Sequence, residues 1–167
     1  KSEERKKILS SVAKKINTTL IYCNLIGGQD ELVFDGGSLV ISNNGKILSS
    51  ADYFKEEIFE WYIDKNVNAK QFSLDEEIYE ALKLGLKDYV NKTGFKNVII
   101  GLSGGIDSAL VLAIAVDVLG NKNVEAVTMP SQFSSNETLN DAIKMAKNLN
   151  IKLHTLPIEN LFNEFNF

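Results

Sequence analysis

Ser103-Gly104-Gly105-Ile106-Asp107-Ser108 stands between two apolar runs, Asn97-Val98-Ile99-Ile100-Gly101-Leu102 before it and residues 109–119 after it. The first run has the length of a buried strand and the second that of a buried helix, so the local order is strand, glycine turn, helix. Two adjacent glycines lack the Cβ atoms that would keep an anion from the backbone, and the turn's amides can then face a phosphate. A helix opening near Ile106 adds free N–H groups and its positive dipole end at the same place. Ser103 and Ser108 can donate hydroxyl hydrogen bonds to phosphate oxygens. Asp107, in the first helical turn, can hold the magnesium ion that accompanies a nucleotide phosphate. Ser-Gly-Gly turns are also ordinary capping chemistry, but a cap alone requires neither two glycines nor two flanking serines.

The remaining sequence sets bounds on that reading. At 167 residues, with 44% hydrophobic and 24% charged residues, the chain has the composition of a soluble globular protein. The net charge of −4 argues against general nucleic-acid binding. Up to residue 70 there are 10 basic and 10 acidic residues; after it there are 8 and 12, so the half with the glycine turn is the acidic one. A polyanion there would be held by local amides and magnesium rather than by a basic surface. A single cysteine, Cys23, excludes an internal disulfide framework and fits a reducing compartment; its apolar strand setting predicts a buried, inert thiol. No apolar run is long enough to cross a bilayer, and Lys1-Ser2-Glu3-Glu4-Arg5-Lys6-Lys7 does not open a signal peptide, so the expectation is a cytoplasmic protein without membrane partners.

Residues 2–17 carry Ile8, Val12 and Ile16 at helical spacing, with Leu9 and Ala13 beside them. Short strands are expected at 18–24, 32–34 and 38–42, and the glycines within 26–31 mark a loop. Asn43-Asn44-Gly45 suits a hairpin turn returning through 46–49. Phe59, Trp61 and Ile63 alternate with Glu60, Tyr62 and Asp64 as a half-buried strand would. Polar residues 66–72 read as a linker. Ser73 and Glu76 have capping-box spacing ahead of a helix whose stripe is Ile78, Leu82, Leu86 and Tyr89, with Gly94 at its end. Strand 97–102, helix 106–119 capped by Gly120, strand 124–129, helix 137–149 and strand 151–156 then alternate, which predicts right-handed crossovers and a parallel sheet with ligands at the strands' carboxyl ends. By that rule Ser103 and Met129 share one rim. The serines of Met129-Pro130-Ser131-Gln132-Phe133-Ser134-Ser135-Asn136 have equal claims as caps, since Ser134 and Glu137 are three apart. His154 has no acid or cysteine near it in sequence and reads as structural.

The hexapeptide resembles the SGGxDS signature of the PP-loop ATP pyrophosphatases and lacks the lysine of a Walker loop. Within that superfamily, Asn24-Leu25-Ile26-Gly27-Gly28-Gln29-Asp30-Glu31-Leu32-Val33-Phe34-Asp35-Gly36-Gly37-Ser38 is similar to the NxxGGQDELVFDGxS segment near the end of the nitrilase-like glutaminase domain of glutamine-dependent NAD synthetases. Met129-Pro130-Ser131 with Asp141-Ala142 is similar to the stretch that follows the PP-loop in the same enzymes.

The resemblance implies residues 1–65 as the tail of a nitrilase-like αββα sandwich, 66–72 as linker, and 73–167 as the start of a doubly wound PP-loop domain of the adenine nucleotide alpha-hydrolase type, both domains incomplete. It also implies ATP and Mg2+, with deamido-NAD, glutamine and ammonia as substrates of a two-site, homo-oligomeric ligase. ATP and its pyrophosphate would meet Gly101, Leu102, Ser103, Gly104, Gly105, Ile106, Asp107, Ser108 and the backbone of Met129, with Asp107 on the metal and Lys1 in the glutamine pocket. The amidase Glu, Lys and Cys are expected upstream of residue 1, and the deamido-NAD contacts beyond residue 167, so no catalytic residue is assigned here. The alternatives are another PP-loop ligase, such as a GMP synthetase, or a nucleotide-binding module without activity of its own.

Overall fold

The computed structural model describes residues 2–62, 69, 71–131, 134–159 and 164. It divides into two compact units, Lys1–Gly85 and Leu86–Phe167.

The first unit opens with α1 (Ser2–Ile16), followed by β1 (Leu20–Tyr22), β2 (Ile26–Gln29), β3 (Leu32–Asp35), β4 (Leu39–Ile41) and β5 (Ile47–Ser50). Strands β1, β4 and β5 form an antiparallel sheet in that spatial order. Their core is Leu39 and Ile41, covered by Ala13 and Leu9 of α1 and flanked by Leu20, Tyr22 and Ile47. The α1 stripe is therefore corrected: Ile8, Val12 and Ile16 are exposed, and the neighbouring line through Leu9 and Ala13 is the one that packs. Only one side of the helix touches the sheet, and small Ala13 allows the closest approach.

Three further expectations in this unit change. Residues 26–31 are not a loop, because β2 and β3 pair antiparallel from Ile26↔Asp35 to Gln29↔Leu32, and Asp30 supplies the turn with φ 51°. Cys23 is exposed rather than buried. Alternation along β1 explains this, since Leu20 and Tyr22 point into the core, which turns Ile21 and then Cys23 outward. Residues 59–61 form no strand, while Ile63 and Asp64 lie outside the described residues. The Asn43-Asn44-Gly45 turn is as expected, with the Gly45 N–H donating to the Ser42 carbonyl at 2.8 Å. Of the linker stretch, residues 66–68 and 70 lie outside the described residues; Phe72 is packed edge-on against Phe54 at 5.9 Å between ring centroids.

Helix α2 (Leu74–Thr93) starts on the expected capping box: the Ser73 N–H donates to Glu76 Oε2 at 2.8 Å, and the Glu76 N–H donates to Ser73 Oγ at 3.3 Å. Of its expected stripe only Leu86 joins the second unit's core. Ile78, Leu82 and Tyr89 are exposed, and Val90, one turn beyond Leu86, is buried instead.

The second unit continues with β6 (Val98–Gly101), α3 (Ile106–Leu119), a 3-10 turn (Asn121–Asn123), β7 (Val124–Thr128), α4 (Asn136–Asn148) and β8 (Lys152–Thr155). The sheet is parallel in the order β6-β7-β8, as the alternation requires. Val124, Ala126 and Thr128 of the central strand face inward. Val124 and Ala126 meet Leu112 and Ala115 of α3 and Ala142 of α4, and this cluster with Leu102 is the core of the α/β layer. Burying a Leu such as Leu112 stabilises by about 2 kcal/mol, which fixes α3 and hence the turn that precedes it.

Candidate phosphate site at the sheet rim

Parallel pairing runs from Val98↔Val124 to Gly101↔Val127, and the Leu102 N–H extends it by donating to the Val127 carbonyl at 2.8 Å. The chain leaves β6 at Ser103 and β7 at Met129 on the same rim, as expected. A cavity of about 250 Å³ lies there, lined by Gly101, Leu102, Ser103, Met129, Pro130, Ser134, Thr138 and Leu139. The first unit holds a larger cavity, about 710 Å³, in whose lining Ser2 Oγ donates to Glu77 Oε2 at 3.1 Å and Lys6 pairs with Glu3 at 2.6 Å.

The turn is built from its hydroxyls. Ser108 Oγ accepts from the Ser103 N–H at 3.3 Å and donates to the Gly105 carbonyl at 2.9 Å, while Ser103 Oγ accepts from the Gly105 N–H at 3.2 Å. The two hydroxyls also lie 3.1 Å apart. Two amides that the sequence alone would aim at a phosphate, those of Ser103 and Gly105, are thus satisfied within the turn. The amides left over belong to α3. Gly105 is its N-cap, offers no side-chain cap, and leaves the first-turn N–H groups of Ile106, Asp107 and Ser108 without an intrahelical acceptor. Such uncapped donors at the positive end of a helix dipole favour negative charge.

Gly104 sets the shape of this turn. Its φ is 90°, and a Cβ placed on it would lie 2.7 Å from the Thr138 carbonyl carbon and overlap that carbonyl's oxygen. The backbones of the turn and of α4 meet where only hydrogen fits.

Asp107 is exposed and has no side-chain hydrogen bond or ion pair among the described residues. No group of three or more His, Cys, Asp or Glu able to hold a metal occurs among the described residues. One free carboxylate beside an anion site fits a magnesium ion that takes its other ligands from phosphate and water, and does not fit an all-protein cage. Lys1 lies outside the described residues.

His154 does have an acidic partner, which its local sequence hid. Glu125 on β7 is hydrogen-bonded to its Nε2 across the pair of parallel strands, with Lys152 4.0 Å from the same carboxylate. The His154 hydrogen bond holds the Glu125 carboxyl below its ordinary value against an opposing burial cost, with a lesser contribution from the charge of Lys152. The cap of α4 is Ser135, whose Oγ accepts from the Thr138 N–H at 3.1 Å. Ser134, the expected cap, instead takes the Ser131 N–H at 3.0 Å.

Sequence reading missed Arg5. Its guanidinium grips Asp35 through two bonds of 2.7 and 2.9 Å, and Asn24 Nδ2 donates to Asp35 Oδ1 at 2.9 Å and to the Gly36 carbonyl at 2.7 Å. The Asn24 N–H donates to Ser38 Oγ at 3.0 Å. Burial disfavours the Arg5 charge, but the Asp35 hydrogen bond and charge outweigh it and raise its pKa. Gly37, with φ 63°, leaves room for Tyr53, whose Cδ1 would be 2.8 Å from an added Cβ. The signal for Arg5 was available only in three dimensions, since it lies 30 residues from Asp35.

The second unit is thus a parallel α/β layer with a glycine turn and uncapped helix amides at its rim. The NAD synthase family model matches residues 78–166, and the chain belongs to that family. It is 42% identical over 96% of its length to the glutamine-dependent NAD(+) synthetase of Aquifex aeolicus and 43% identical over 92% to that of Synechocystis, covering 36% and 29% of those proteins. The structure of glutamine-dependent NAD+ synthetase from Acinetobacter baumannii in complex with adenosine diphosphate superposes over 98% of this chain and 32% of that one, with a TM-score of 0.91 and 40% identity. The chain spans about a third of the length of these relatives. The fold is the one expected, a PP-loop α/β unit following part of a nitrilase-like unit.

Proposed function

We propose that this chain is part of a glutamine-hydrolysing NAD(+) synthase, with residues 1–65 from the glutaminase domain, 66–72 as linker and 73–167 from the synthetase domain. The full-length protein would form the amide of NAD from deamido-NAD, taking ammonia from glutamine. A carboxylate is a poor electrophile until one oxygen becomes a good leaving group; ATP would transfer AMP to that oxygen with release of pyrophosphate, and ammonia would then displace AMP to form the amide. The first-turn amides of α3 and the segment from Gly101 to Ser108 would hold the phosphates, with the backbone of Met129 against the adenine. Donors fixed before the reaction stabilise negative charge as it develops on the leaving group, without reorganising. Asp107 would hold a magnesium ion, whose chemistry is partial neutralisation of the pyrophosphate. Lys1 is proposed for the glutamine pocket, and the assembly as a cytoplasmic homo-oligomer without nucleic-acid or membrane partners.

The observation that carries this reading is the row of uncapped amides of Ile106, Asp107 and Ser108 beside the Asp107 carboxylate, which is unpaired among the described residues. Deamido-NAD-dependent pyrophosphate release by the full-length protein, with glutamine or ammonium as nitrogen source, tests it. Pyrophosphate release driven instead by xanthosine monophosphate would replace it with a GMP synthetase, and magnesium-dependent ATP binding without turnover would leave a binding module.

A further inference from the structure

The glycine turn does not hold its shape unaided. Its hydroxyl bonds close the ring from Ser103 to Ser108, but Gly104 at the crest leans on a different element, the backbone carbonyl of Thr138 in the first turn of α4. That helical turn is itself held by a local network. Ser135 Oγ accepts from the Thr138 N–H at 3.1 Å and lies 3.1 Å from Thr138 Oγ1, which donates to the Ser135 carbonyl at 2.9 Å. One turn further on, Ala142 is fully buried in the cluster that contains Leu102, the residue immediately before Ser103. The start of α4 is therefore tied to the sheet on one side and to the crest of the glycine turn on the other. Thr138 also lines the rim cavity.

From this we infer that Ser135 and Thr138 are positioning residues for the phosphate site: the capped start of α4 presents the Thr138 carbonyl as the seat for Gly104 and so fixes the direction of the free α3 amides. They act through Gly104 rather than on the nucleotide. Loosening the cap lets the seat move, and a moved seat lets the turn sample shapes in which the amides of Ile106 to Ser108 no longer converge. The cost should appear as weaker phosphate affinity rather than as lost fold.

This inference rests on the proposed ATP site, and the test separates the two. Calorimetric titration of the full-length protein with magnesium-ATP and with magnesium-pyrophosphate compares wild type, Ser135→Ala, Ser135→Asn and Ser73→Ala. Ser135→Ala should raise both Kd values about fivefold, the equivalent of one lost helix cap. Ser135→Asn, an uncharged residue that also caps, should restore them. Ser73→Ala removes the cap of α2 and should leave both unchanged, which distinguishes positioning from general loosening. Amide exchange should rise at residues 103–105 in Ser135→Ala alone. Equal Kd values for wild type and Ser135→Ala, or equal weakening by Ser73→Ala, overturn the positioning role and leave the ATP site standing. Failure of the wild type to bind either ligand overturns both.

Discussion

Two glycine-rich stretches of this chain look alike in sequence and differ in how their polar groups are used. Around Gly36 and Gly37 the side chains are paired inside the protein, Arg5 Nε alone of this network excepted: Arg5 with Asp35, Asn24 with Asp35 and Gly36, and the Asn24 amide with Ser38. Around Gly104 and Gly105 the hydroxyls are paired, yet three helix amides and the carboxylate of Asp107 are not. A distinctive motif can therefore be distinctive for structural reasons. What marks a binding site is the remainder after internal pairing is complete.

The contrast can be broken by substitution. Gly104→Ala should have the largest effect, about a 100-fold loss of kcat/KM for ATP in the full-length protein, because alanine must adopt a φ of 90° and displace the Thr138 carbonyl. A loss under threefold would mean the turn tolerates another shape. Asp35→Ala should instead lower unfolding stability by roughly 2–3 kcal/mol and leave the Kd for ATP alone, since it strands the Arg5 charge. Side-chain exposures of 20% and 17% for that pair place it between surface and core. Urea unfolding paired with nucleotide titration checks both halves of the claim.

Asp107→Asn should reduce turnover roughly tenfold and raise the magnesium needed for half-maximal rate, with an unchanged unfolding curve. Unaltered magnesium dependence would remove Asp107 from the metal. The smallest effect concerns Glu125. Its pKa is lowered in the folded state, so its contribution is present above the ordinary carboxylate value of 4.5 and is lost as pH falls through the lowered value. Acid unfolding of Glu125→Gln should therefore match wild type at low pH and fall slightly below it near neutrality, as measured by thermal melts across pH 3–7.

Local patterns were legible where one interaction decides the structure. The Ser73–Glu76 box, the α3 boundaries and the parallel alternation needed only neighbours in sequence. Hydrophobic stripes were less so: two adjacent lines of apolar residues run along α1, and only the sheet selects Leu9 and Ala13 over Ile8 and Val12. The hairpin of β2 and β3 was masked by its glycines, which read as loop until paired. For the candidate site, the turn from Ser103 to Ser108 was legible but the pairing of its polar groups was not. Which amides stay free depends on where Ser103 and Ser108 send their hydroxyls, and no spacing rule encodes that choice. Thr138 was hidden for the same reason as Arg5, since its role depends on a partner 34 positions away.

The outward turn of Cys23 has a practical consequence. A single sulfhydryl on a strand exit, in the unit that lacks the glycine turn, gives this sequence one attachment point for a fluorophore or spin label. A probe there would report on the unit that holds Arg5 and Asp35.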